Sequence, residues 1–85
     1  MKEEYKRVLQ SLDIRLYEKD KQYGLSYLDK DCTLDWLFKT RLLGEVTELQ
    51  KALLTGVKGC IIDEALDVAI CALLIASKAI ESGME

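Results

Sequence analysis

The chain contains no histidine and no proline. The first absence removes the usual imidazole base, the commonest zinc ligand and the Glu-x-x-His pairs with which helical bundles hold two irons. The second removes the residue that most often interrupts a helix, and little of the sequence alternates in the manner of a strand, so the reading is all-α. Cysteine is sparse: Cys32, Cys60 and Cys71 are odd in number and lack metal-ligand spacing, as expected of reduced, packed thiols in a cytoplasmic protein. An excess of basic charge is missing too. Twelve Lys and Arg against fifteen Asp and Glu leave a formal charge of −3, which argues against binding nucleic acid through its phosphates. No signal peptide is expected, because Met1 to Arg7 is charged and no apolar run follows. The most apolar stretch, Ile61 to Ile80, holds Asp63, Glu64, Asp67 and Lys78, whereas a membrane span needs about 20 mostly apolar residues with few charges.

What is present is apolar. At 85 residues the chain is one small domain, 1–85, near the size at which a single core is only marginally stabilising. Its hydrophobic fraction of 49% exceeds what so small an interior absorbs. The expectation is therefore association with copies of itself, as a homodimer or homotetramer.

Three main helices are expected. From Glu3 to Gln22, Tyr5, Val8, Leu9, Leu12 and Leu16 recur at steps of three and four, giving one narrow apolar stripe that ends at Gly24. Glu3 and Glu4 early, and Lys19 and Lys21 late, suit the helix dipole; Lys19, Lys21 and Arg15 could also reach a phosphate. A second helix starts at an N-cap on Asp31 or Thr33 and runs to about Leu54. At 100° per residue, Glu45 and Glu48 share a side with Leu34, Leu37, Phe38, Leu49 and Ala52, while Trp36, Leu43 and Leu54 form a second strip opposite. After a link from Thr55 to Gly59 the third helix runs from Cys60 to Ser82, closed by Gly83, and is apolar almost all round. Such a helix is expected to be buried on most sides.

Two acidic pairs flank that link, Glu45 with Glu48 and Glu64 with Asp67, each three residues apart and so on one helix face. If the second and third helices fold back as an antiparallel hairpin, reflection about Gly56 sets Glu45 opposite Asp67 and Glu48 opposite Glu64. Acids at this spacing on a helix are commonly just solvated surface charge. Here they lie in apolar surroundings at matching levels, and only Arg41 and Lys78 fall on the same line as neutralising cations. Like charges so placed repel unless a cation joins them. A carboxylate-only set suits a hard ion, Mg²⁺ or Mn²⁺, rather than zinc.

Gly44-Glu45-Val46-Thr47-Glu48-Leu49, followed by Glu64-Ala65-Leu66-Asp67-Val68, resembles the Glu-x-x-Glu and Glu-x-x-Asp signature of the MazG-like all-α nucleotide pyrophosphohydrolases. The likeness spans Trp36 to about Ala76 and is greatest for the small dCTP-pyrophosphatase-like and dUTPase-like branches. It implies Mg²⁺-dependent hydrolysis of a nucleoside triphosphate to a monophosphate and pyrophosphate, with Mn²⁺ as a substitute. Carried onto this chain, Glu45, Glu48, Glu64 and Asp67 would be the metal ligands, and Glu48 or Glu64 would take the proton of the attacking water. Arg41 and Lys78 would hold phosphate charge, and Trp36, with Phe38, Tyr23 and Tyr27, could offer the base an aromatic platform. The chain departs from the family in having Gly44 where many members have a glutamate, and Gln50-Lys51-Ala52 where the dCTP branch has tryptophan.

Two other readings are open. One is a phosphoribosyl-ATP pyrophosphohydrolase, with the same chemistry on another substrate. The other is a non-catalytic helical oligomerisation module that keeps the fold and uses its acids as surface charge or for cation binding.

Overall fold

A computed structural model describes residues 1–23 and 33–81, and every regular element among them is helical. Helix α1 (Glu3–Tyr23) opens with Glu3 and Glu4 in its first turn, where carboxylates meet the positive end of the helix dipole. The expected stops of the first and third helices, Gly24 and Gly83, lie outside the described residues, as do Asp31, Tyr27 and Cys32. The second long helix begins as α2 (Leu34–Trp36), where the Thr33 carbonyl accepts the first helical bond from Leu37 N–H at 3.0 Å. Thr33 thus stands at the N-cap position.

This second helix is not uniform. Leu37–Leu42 is π-helical, and only Leu43–Thr55 resumes the α form as α3. A π turn closes its hydrogen bonds one residue later than an α turn. A wheel drawn at 100° per residue across the whole segment therefore loses phase between Leu37 and Glu45. Within α3 the inward face is set by Glu45, Leu49 and Ala52, at steps of four and three, while Glu48 lies on the exposed side. The expected grouping of Glu48 with buried Leu37 fails for this reason.

The link to the last helix is shorter than expected. Gly56 ends α3 with φ of 70°, a left-handed conformation that costs any residue with a Cβ about 1–2 kcal/mol. Its N–H donates to the Ala52 carbonyl at 3.1 Å, the Thr55 hydroxyl donates to the same carbonyl at 2.7 Å, and Val57 N–H donates to Thr55 Oγ1 at 3.3 Å. Helix α4 (Lys58–Glu81) then starts two residues before Cys60, taking Gly59 into its first turn.

Helices α3 and α4 make the most extensive contact among the described elements, the π segment packs on α4, and α1 touches α4 alone. Leu37, Ala52, Leu66 and Ile70 are the buried apolar residues among those described, with Leu37 2% and Ile70 1% exposed. Burial stops soon afterwards. Within one chain α4 is not enclosed on most sides, since Ile62, Leu73 and Ile80 are exposed. Leu43 and Leu54 on α3, and Tyr5, Val8 and Leu9 on α1, are exposed as well. Among the described residues no helix is long and apolar enough to cross a membrane.

Candidate functional site

Three acids converge where α3 meets α4. Glu45 stands in the first turn of α3, just past the π segment, and Glu64 and Asp67 stand one turn apart on α4. One carboxylate oxygen from each lies within 4.8 Å of the other two, and all three residues are half-buried. Glu45 thus faces both acids of α4. Glu48 does not join them: it is exposed, with its carboxylate 3.5 Å from Lys51 Nζ on the same helix. An α-helix turns only one face toward its neighbour, and the i+3 step from Glu45 carries Glu48 past the edge of that face.

The counter-charge comes from a helix that the sequence reading left out of the site. Arg15 on α1 spreads its guanidinium over two acids of α4, with Nη2 2.7 Å from Asp63 Oδ1 and Nη1 3.2 Å from Asp67 Oδ1. Arg15 and Asp67 are each about 30% exposed, while Asp63 is 65% exposed. Arg41 and Lys78 are therefore not the only cations to weigh against these acids. With Asp63 counted, four carboxylates and one guanidinium leave a formal −3 here. Asp63 and Asp67, four apart, share a face, which is the one sequence signal for a forked partner. Nothing in the sequence says which helix supplies the arginine.

No protein-family model matches the chain, and neither a curated protein nor a solved structure is similar to it.

The donor set bears on which ion the trio could take. Oxygen ligands from Glu45, Glu64 and Asp67 suit Mg²⁺ or Mn²⁺. Adjacent ligands of an octahedral Mg²⁺ stand about 2.9 Å apart and opposite ones about 4.1 Å, so oxygens spread over 4.8 Å would have to draw together to share one ion. The remaining expected residues are more scattered. Arg41 lies in the π segment, exposed, one turn before Glu45. Lys78 is eleven residues beyond Asp67 on α4, about 16 Å along the helix axis. Phe38 is exposed on the π segment; Trp36 ends α2, and its side chain and that of Tyr23 lie outside the described residues.

Proposed function

We propose that this chain is a Mg²⁺-dependent nucleoside triphosphate pyrophosphohydrolase of the MazG-like kind, cytoplasmic, working as a homo-oligomer in which α3 and α4 form an antiparallel hairpin. The observation that carries the reading is the approach of Glu45, Glu64 and Asp67 to within 4.8 Å of one another from two helices. In this reading the trio holds the ion, which when bound polarises phosphoryl oxygens and offsets their charge. Glu64 in the trio is the base nearest a bound water, Glu48 on the exposed side of α3 is the more distant candidate, and Arg41 is the nearer of the two expected phosphate contacts. Arg15 holds Asp67 together with Asp63 and offsets part of the acids' charge.

The test is release of pyrophosphate, not phosphate, from a panel of NTPs and dNTPs with Mg²⁺. Activity is expected to disappear in Glu64→Gln and Asp67→Asn. Millimolar Mg²⁺ should also raise the melting temperature of the wild type, because an ion that binds only the folded state stabilises it by mass action. No pyrophosphate from any nucleotide and no shift with Mg²⁺ or Mn²⁺ would overturn the reading. The second reading, a non-catalytic oligomerisation module, is favoured by the Arg15 fork and by the amount of apolar side chain left in water.

A further inference from the structure

Helix α1 is lightly attached. It touches α4 alone among the described elements, and none of its side chains from Glu3 to Glu18 is buried. Tyr5, Val8 and Leu9 on its apolar stripe are 57%, 47% and 53% exposed. Where the two helices meet, an open and almost wholly apolar groove of about 530 Å³ remains, with Leu12 and Leu16 on one wall and Ala69 and Ala72 on the other. An element with so few buried contacts opens at low cost. Against that background the Arg15 fork stands out, 2.7 Å from Asp63 and 3.2 Å from Asp67. Asp67 belongs to two arrangements at once. It is gripped by Arg15, and it is one of the three acids that meet within 4.8 Å.

We propose that α1 is a strap latched by Arg15, and that a divalent cation among Glu45, Glu64 and Asp67 loosens it; this rests on the cation site of the proposed function and adds its regulation. Charge gives the direction. Asp63, Asp67, Glu45 and Glu64 present a formal −4 to the guanidinium, and a bound divalent ion reduces that to −2. Asp63, the anchor outside the trio, is 65% exposed, and a solvated pair of that kind holds an arginine only weakly. With little buried surface of its own, α1 loosens along with the side chain that ties it down. Coupling between two sites is reciprocal, so the closed latch lowers affinity for the ion by the same factor by which the ion weakens the latch. A unit charge beside a divalent ion, screened by solvent and salt, changes its affinity by about three- to tenfold. The contrary role, a guanidinium that orients Asp67 as a ligand, has the opposite sign: Arg15 would then raise affinity for the ion.

Two measurements on the full chain test this, both at constant ionic strength. Hydrogen exchange with and without Mn²⁺ reads the strap: amides of 5–16 are expected to exchange several-fold faster with the ion, and those of 61–70 more slowly. Calorimetric titration with Mn²⁺ reads the latch: Arg15→Met should bind the ion about three- to tenfold more tightly than the wild type, although it melts at a lower temperature without it. A purely structural arginine would lower the melting temperature and give no gain in affinity. Should Arg15→Met fail to fold, exchange on the wild type decides alone. Mn²⁺ that binds the wild type yet leaves amides of 5–16 unchanged or slowed, or that binds Arg15→Met no more tightly, would overturn this proposal alone. Mn²⁺ that binds neither protein would overturn it together with the cation site.

Discussion

Replacing Arg15 with methionine removes a charge and two ion pairs while keeping most of the side chain's apolar stem. At an effective dielectric of about 20, the 3.2 Å contact with Asp67 corresponds to an attraction of about 5 kcal/mol before desolvation and ordering are deducted. Repulsion of Asp67 by Glu45 and Glu64, at no more than 4.8 Å, is about 3.5 kcal/mol or more from each on the same scale. The two effects on Asp67 are thus of similar size and opposite sign. Partial exposure shrinks both to the range of about 0.2–1 kcal/mol measured for solvated pairs, with Arg15, whose side chain is 29% exposed, at the upper end. Arg15→Met loses the attraction and keeps the repulsion, so it should cost about 1–1.5 kcal/mol. For a domain of this size that is a fall of roughly 5–10 °C in melting temperature. Asp67→Asn loses both, and without metal it should be nearly neutral. Thermal unfolding followed by circular dichroism, at fixed protein concentration and low salt, with the double variant closing the cycle, measures the difference. The reasoning fails if Asp67→Asn is the more damaging of the two, or if the cycle returns no coupling.

Three substitutions probe the backbone and the core. Gly44 lies within α3 and a methyl group there would meet no atom within 4 Å, so Gly44→Ala should stabilise by about 0.5–1 kcal/mol, read from urea unfolding. Gly56→Ala also has open space, yet its φ of 70° should make it destabilising by about 1–2 kcal/mol in the same assay. Ile70→Ala removes a side chain that is 1% exposed at the contact of α3 with α4, and should cost about 2–5 kcal/mol as a lowered denaturation midpoint with an unchanged slope.

Much of the helical layout was legible because it depends on short-range physics. Apolar spacing at steps of three and four marked α1, and the glycine-bearing link after Leu54 marked the end of α3. Gly59 misled as a second breaker. A glycine in the first turn of a helix lowers its propensity without ending it, and α4 begins before it. At the site, Glu45, Glu64 and Asp67 could be paired from spacing on either side of a short link. Glu48 could not be assigned its side, because spacing alone does not say how wide a strip of α3 faces α4, and the strip includes Glu45 but stops short of Glu48. Arg15 escaped for a different reason. Its partners are 48 and 52 residues away in sequence, and only the docking of α1 on α4 brings them within reach.

The wide turn at Leu37–Leu42 has a bearing on how this chain can vary. Such a turn holds one residue more than an α path of the same course requires. Deleting a single residue between Phe38 and Arg41 would let the helix close in the ordinary way and leave everything downstream facing as it does now. Rewinding the same residues as an α-helix would instead turn everything downstream by about 100°, and Glu45 would leave the side it shares with Glu64 and Asp67. At this chain length the meeting of the three acids depends on the wide turn absorbing its extra residue.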